Sequence, residues 1–364
     1  MLSLSPKAKW NLSRVFPFGL IWFVTAMVFL ASDALAIGGN PVMEGGVRPN
    51  EGIFVLAGTS AFIMGLMVGT LEMIFVNRLF RDMNLWKTFV GKFLLYLVLF
   101  TLMVALLFPI AAALETNTSL WDERVGEKFI GFWGSPAFWS TALQLVFSLI
   151  LCLFYAAISE NLGQSVLVNF VTGKYHSPKE EERIFLFLDM YDSTTIAEDL
   201  GHIRYFEFLR RYYDDLANAI IQHEGEVYQY IGDEIVITWT KQKGLRNHNC
   251  VRCFFAMERA LEKKAKRYQK DFGHIPRFKG GMHLGAVTTG EVGALKKEIV
   301  YTGDVLNTSA RIQGLCKTYD VDLLLSEDLI TVLGLDTNYE LRNLGSLELK
   351  GKKEEITVYS VQES

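Results

Sequence analysis

The spacing of apolar positions changes at about residue 160. Before it, apolar residues come in long runs at about Phe16–Ala36, Ile53–Val76, Phe93–Leu114 and Phe138–Ile158. Each approaches the ~20 residues with which a helix crosses a bilayer. Four in succession predict an N-terminal α-helical membrane bundle of four transmembrane helices. Leu162, Val166, Leu167, Phe170 and Val171 then recur at helical spacing, and this pattern breaks at Gly173 and Pro178. The charge run Lys179–Arg183 reads as a solvated joint. The expected parts are therefore a membrane domain, 1–160, a helical connector, 161–183, and a third domain, 184–364. The connector helix fits equally a dimer contact with its own copy and a plain tether.

From Ile184 the periodicity becomes mixed. A short buried strand, Ile184–Leu188, ends in Asp189, and a helix is expected over about Thr194–His223. Two runs of β-formers, Val227–Ile231 and Ile235–Trp239, flank Gly232-Asp233-Glu234 and predict a tight hairpin. A helix at about Val251–Phe272 and strands at about Lys279–Thr288 and Ile299–Thr302 follow, then a helix at Val305–Lys317 and two terminal strands. Strand, helix, hairpin, helix, strand is the order of an α+β sandwich of ferredoxin-like type.

Charge sets the expected orientation. Lys7, Lys9 and Arg14 precede the first run, and Arg78, Arg81, Lys87 and Lys92 follow the second, so these ends belong in the cytoplasm. The other two connections, about 16 and 23 residues long, are poor in Lys and Arg and too short for an extracellular binding domain. The expectation is a multi-pass protein of the cell (inner) membrane, embedded in the lipid bilayer, with N-terminus and third domain cytoplasmic. Ala34-Leu35-Ala36 also fits a signal-peptidase site, and cleavage there would leave the later topology unchanged. Glu72, inside the second run, is either a functional intramembrane acid or one that snorkels to the interface.

Composition removes several functions. A net charge of −4 gives no electrostatic case for a nucleic-acid polymer. All six histidines follow residue 175, which argues against His-ligated haem in the bundle. Cys250 and Cys253 form a lone CxxC without two further ligands for zinc, and read as helix residues of a reduced compartment.

Asp189 at a strand end and Asp233 at the hairpin tip would repel if brought together alone. A shared divalent cation resolves this, since Mg²⁺ takes one or two carboxylates plus water and phosphate oxygens. The polar segment from Met190 to Thr195, including Thr194, leads into a helix whose free N–H groups suit phosphate. Asn307 and Arg311, at i and i+4, project from one helix face, and Arg suits charge developing on a phosphoryl group.

"FLFLDMYDST", "YIGDEIVI" and "GDVLNTSARIQ", in this order, resemble the catalytic domain of class III adenylyl/guanylyl cyclases, and "LKGKKEEITVYSV" resembles the closing strands of that family. The resemblance covers about Ile184–Val361. It implies a C-terminal α+β ferredoxin-like nucleotidyl cyclase domain acting as a head-to-tail homodimer. Asp189 and Asp233 of one subunit would hold two divalent cations, Mg²⁺ or Mn²⁺. Asn307 and Arg311 of the other would position the ribose and stabilise the reacting phosphate, and either Lys350 or Lys352 would hold the triphosphate. The implied reaction is in-line attack of the ribose 3′-oxygen on the α-phosphate, releasing pyrophosphate.

Two positions depart from the adenylyl pattern, Gln229 in place of lysine and Val300 in place of Asp or Thr. A Gln amide can serve either purine, by exchanging its donor and acceptor ends, and Val300 offers only packing. ATP is the expected substrate, with GTP the alternative. Two rivals are a diguanylate cyclase, from the likeness of "YIGDEIVI" to a Gly-Gly-Asp-Glu-Phe hairpin, and a non-catalytic nucleotide-binding module. The Asn307/Arg311 helix argues against the first. Retention of both acids, Asn307 and Arg311 argues against the second.

Overall fold

The structure, a computed structural model, describes residues 5–37, 47–48, 50–73, 85–335, 338–348 and 355–364. It divides into two compact units, Trp10–Leu167 and Val168–Ser364, the latter joined by Met1–Lys9.

The first unit is helical: α1 (Pro6–Ile37), α2 (Glu51–Leu71), α3 (Leu85–Thr116), α4 (Glu123–Phe132) and α5 (Pro136–Leu162). Among the described residues four helices, all but α4, are long and apolar enough to cross a membrane. The amphipathic helix α4 is an addition to the expected elements. It lies in the third connection, starts at the Asp122 cap, and buries Val125 and Phe132.

Close packing of α1 on α2 depends on Gly65. A Cβ there would lie 2.5 Å from the Phe18 carbonyl oxygen. With Gly69 this forms a GxxxG stripe, the small-residue spacing that lets helix backbones approach. Thr25 and Ser148 share a buried hydrogen bond of 2.7 Å between α1 and α5. Glu72 does not snorkel: its carboxylate is buried, pairs with Lys92 and accepts from the Tyr96 hydroxyl. Near the other end of α5, Gln164 accepts from Ser159 and donates to the Ser13 carbonyl at 3.0 Å.

The helix α6 (Gln164–Val171) leads toward the second unit, whose described strands form one eight-stranded sheet. Its elements are β1 (Lys179–Met190), α7 (Ser193–Gln222), β2 (Glu226–Ile231), β3 (Glu234–Thr240), α8 (Lys241–Leu245), α9 (Asn249–Glu262), α10 (Ala265–Phe272), β4 (Phe278–Val292), β5 (Glu298–Thr302), α11 (Asp304–Tyr319), β6 (Leu323–Ser326), α12 (Glu327–Leu333), β7 (Tyr339–Glu348) and β8 (Glu355–Glu363). Strand order is β2-β3-β1-β4-β6-β8-β7, with β5 paired to β4. The first four strands, antiparallel in the order 2-3-1-4, are the ferredoxin-like arrangement.

The apolar run in β1 covers both sheet faces. Ile184, Leu186, Leu188 and Met190 join the core with α7, α9, α10 and α12, while Phe185 and Phe187 face Val287 and Val305 on the α11 side. This is the period-2 alternation of a strand buried on both sides.

Two expectations change. The charge run Lys179–Arg183 is the first part of β1, not a solvated joint, and pairs residue by residue with β4 from Lys179↔Thr289 onward. Lys179, Glu180 and Glu182 are exposed on the strand, and Arg183 is its buried charge. Arg183, 1% exposed, donates to Glu181 at 3.1 Å, Glu226 at 2.8 Å and Thr238 at 3.1 Å, and lies over the Tyr301 ring. The expected helix after Asp189 is broken at Gly201, whose φ of 71° and ψ of 164° are not helical. All four cysteines are free and buried, Cys250 and Cys253 within α9.

Candidate active site

Asp189 lies one residue before the end of β1, where the strand leaves the core. In the β1–β4 register it is opposite Lys279. The Lys279 Nζ is 3.0 Å from Asp189 Oδ2, and the Gln313 amide nitrogen donates to the same oxygen at 3.3 Å. Gln313 reaches it because α11 lies directly on the β4 backbone. A Cβ on Gly281 would come within 2.2 Å of the Gln313 nitrogen, so only glycine allows this approach.

Asp233 is brought beside Asp189 by the β2–β3 hairpin, whose turn begins at Gly232 with φ 64°. The hydroxyl of Tyr213 donates to the Gly232 carbonyl at 2.7 Å and fixes the hairpin to α7. Burial, and then the neighbouring charge of Asp189, hold the Asp233 carboxyl above its usual pKa, although a Ser193 hydrogen bond opposes the rise. Glu234, next in sequence, is also half-buried rather than a solvated neighbour. Burial and the charges of Asp189 and Asp233 raise its pKa. Burial, followed by the charge of Asp233, pushes the Tyr205 hydroxyl up to about 12.

Two carboxylates with an open side fit Mg²⁺ or Mn²⁺, which complete their coordination with water and phosphate oxygens. Among the described residues no group of three or more His, Cys, Asp or Glu forms a closed metal cage. Asp189 and Asp233 are therefore the residues that would hold such ions. Thr194 is exposed in the first turn of α7, next to Ser193.

The other expected site residues are elsewhere on the unit. Asn307 is exposed and Arg311 half-buried on α11, Gln229 is exposed on β2, and Val300 is half-buried on β5 opposite Gly290. Among the described residues none of these makes a hydrogen bond or ion pair with either acid. The site residues thus fall into two sets within one chain. Lys350 and Lys352 lie outside the described residues.

Lys279, Gln313, Ser193 and Tyr213 were not picked out from sequence. Gln313 stands two positions after Arg311 in "NTSARIQ", but only packing on Gly281 directs it to Asp189. Lys279 needs the β1–β4 register before its partner can be named.

Comparison with known proteins identifies the family of this unit. Residues 176–363 match the family described as the adenylate and guanylate cyclase catalytic domain. The chain belongs to that family. It is 36% identical over 209 residues to adenylate cyclase 2 of Rhizobium meliloti (strain 1021), covering 57% of this chain and 58% of the relative. It is 29% identical over 187 residues to adenylate cyclase 1 of the same organism, covering 50% of this chain and 27% of that relative. The chain therefore spans less than two thirds of either. The structure of a bacterial light-regulated adenylyl cyclase shares the fold at a TM-score of 0.52 and 22% identity, with 60% of this chain and 64% of that one covered.

Proposed function

We propose that this chain is a membrane-anchored adenylate cyclase that converts ATP to cyclic AMP and pyrophosphate in intracellular signalling. The observation that carries the reading is the juxtaposition of Asp189, at the end of the inner strand β1, and Asp233, at the hairpin turn, in a cyclase-family sheet. The names of the relatives in Rhizobium meliloti support ATP as substrate.

Bound Mg²⁺ or Mn²⁺ would lower the pKa of the ribose 3′-hydroxyl and neutralise charge on the triphosphate. Asp189 and Asp233 hold these two ions. Thr194 and the first turn of α7 receive phosphate oxygens, and Lys350 or Lys352 holds the triphosphate. The 3′-hydroxyl gives its proton to solvent water and its oxygen bonds to the α-phosphorus, while the bond from that phosphorus to the bridging oxygen breaks. Pyrophosphate carries that oxygen away. Arg311 stabilises the five-coordinate phosphate and Asn307 orients the ribose.

The separation of Asn307 and Arg311 from the acids supports a homodimer in which each site draws on both chains. Gln229 hydrogen-bonds the purine and Val300 packs on it. The segments 1–160 and 161–178 act as anchor and connector, and the chain from β1 at Lys179 onward as catalytic domain. The Lys/Arg distribution supports a cytoplasmic catalytic domain. Guanylate cyclase activity is the second reading, favoured by the exposed Gln229 amide, which can turn to either purine. Incubating the purified chain with Mn-ATP and separating the products tests the proposal. Cyclic AMP is expected, and no cyclic product from either nucleotide would refute it.

A further inference from the structure

The helices of the first unit pack closely around Gly65 and Phe18. Beyond Trp22 all four long helices line a partly open cavity of about 230 Å³. Its α1 wall runs from Trp22 to Asp33, eleven residues apart, or roughly 16 Å at 1.5 Å per residue. Most of the lining is apolar, including Leu30, Leu56, Phe100 and Leu107.

Asp33 is the acid in this lining. It is half-buried, and the Ser140 hydroxyl donates to its two oxygens at 3.2 and 3.1 Å. Among the described residues no lysine or arginine pairs with it. A carboxylate takes an ammonium group as readily as a hydroxyl, and among the described residues Ser140 is the side chain that donates to Asp33. A carboxylate in a membrane helix is costly to keep without a cation, and such residues face a functional interior. Glu72 of the same unit has Lys92. Asp33 has an apolar cavity instead.

We propose that this cavity is a binding site for a lipophilic amine, whose protonated nitrogen pairs with Asp33 and whose apolar body extends toward Trp22. An ammonium group supplies the charge and the donors that Asp33 lacks. The elongated, mostly apolar wall takes an aliphatic or isoprenoid body, and Trp22 at its far end carries a buried indole N–H with no hydrogen-bond partner among the described residues. The proposal concerns binding alone and does not depend on catalysis by the second unit.

The test uses the full chain in lipid nanodiscs and three photoreactive probes. These are decylamine carrying a chain diazirine, and the matching alcohol and carboxylic acid. Expected is saturable labelling by the amine on peptides of α1, α2, α3 and α5, with the acid labelling weakly. Asp33→Asn should weaken half-saturation by the amine roughly tenfold, the scale of one lost charged hydrogen bond, and leave the alcohol unchanged. Asp33→Glu should retain the amine preference, which separates lost charge from lost folding. Ala57→Trp should fill the space and abolish labelling, and thermal unfolding of each variant checks that it is folded. Labelling that does not saturate, that ignores the head group as a bilayer acyl chain would, or that survives Asp33→Asn in folded protein overturns the proposal.

Discussion

Lys279 places its ammonium 3.0 Å from Asp189 Oδ2, on the strand directly opposite. With Gln313 on the same oxygen, one side of Asp189 is occupied by the protein itself and the other is left toward Asp233. A cation here offsets the repulsion of two neighbouring carboxylates. Replacing it by methionine leaves that negative charge unbalanced. Lys279→Met is predicted to tighten Mn²⁺ binding by about tenfold, equivalent to ~1.4 kcal/mol, while slowing turnover because Asp189 loses its anchor. Titration of free Mn²⁺ by electron paramagnetic resonance reads the first effect. Weaker binding would show that Lys279 mainly orients Asp189.

Asp233 is held in an environment that disfavours its charge. Its folded pKa lies above the unfolded value, so the ionised form destabilises the metal-free protein at neutral pH. Asp233→Asn should therefore raise the melting temperature while removing turnover. The loss should exceed the ~10–100-fold typical of a group that only supports a metal ligand. Calorimetry without metal, together with a product assay, tests both halves.

The proposed division of the site between two chains can be tested by complementation. Asp189→Ala and Arg311→Ala should each inactivate, and co-expression of the two should restore part of the activity through one intact site per heterodimer. No restoration in confirmed heterodimers contradicts the shared site. Arg311→Lys should also be impaired, because an ammonium lacks the planar fork of guanidinium.

The proposed contact of Gln229 with the purine can be tested by substitution. A glutamate there only accepts, matching guanine N1–H, whereas a lysine only donates, matching adenine N1. Gln229→Glu should move the product ratio toward cyclic GMP and Gln229→Lys toward cyclic AMP. Each ~1.4 kcal/mol of discrimination changes the ratio tenfold. Equal ratios in both variants would remove Gln229 from the base pocket.

The Arg183 cluster predicts an acid limit to stability. Burial pushes the Glu226 pKa up, but Arg183 and then Lys243 outweigh it, and the net shift is downward. A depressed folded pKa contributes stability that is present above the unfolded carboxylate value and lost as pH falls through the folded one. Unfolding midpoints should fall below about pH 4.3, the unfolded glutamate value. Arg183→Met removes its charged hydrogen bonds to the half-buried Glu181 and Glu226 and should cost about 1–3 kcal/mol in urea denaturation.

The ferredoxin-like order and the acid pair were legible in sequence because period-2 apolar runs, the Gly232 turn and helical spacing are local signals. The inward turn of Glu72 was not, since snorkelling and burial share one sequence pattern until Lys92 and Tyr96 are seen beside it. The Lys179–Arg183 run looked solvated for the same reason. Lys179, Glu180 and Glu182 are indeed exposed, but the partners of Arg183, namely Glu226, Thr238 and Tyr301, are distant in sequence and meet it only across the sheet. Lys279 and Gln313 likewise depend on register and on one close helix–sheet contact at Gly281.

The most direct measurement is a product assay of the purified full chain with ATP and GTP at equal concentration, in Mn²⁺ and in Mg²⁺. Cyclic AMP in excess over cyclic GMP, lost in Asp189→Ala, is the predicted result. No cyclic product from either nucleotide with either metal would contradict the account.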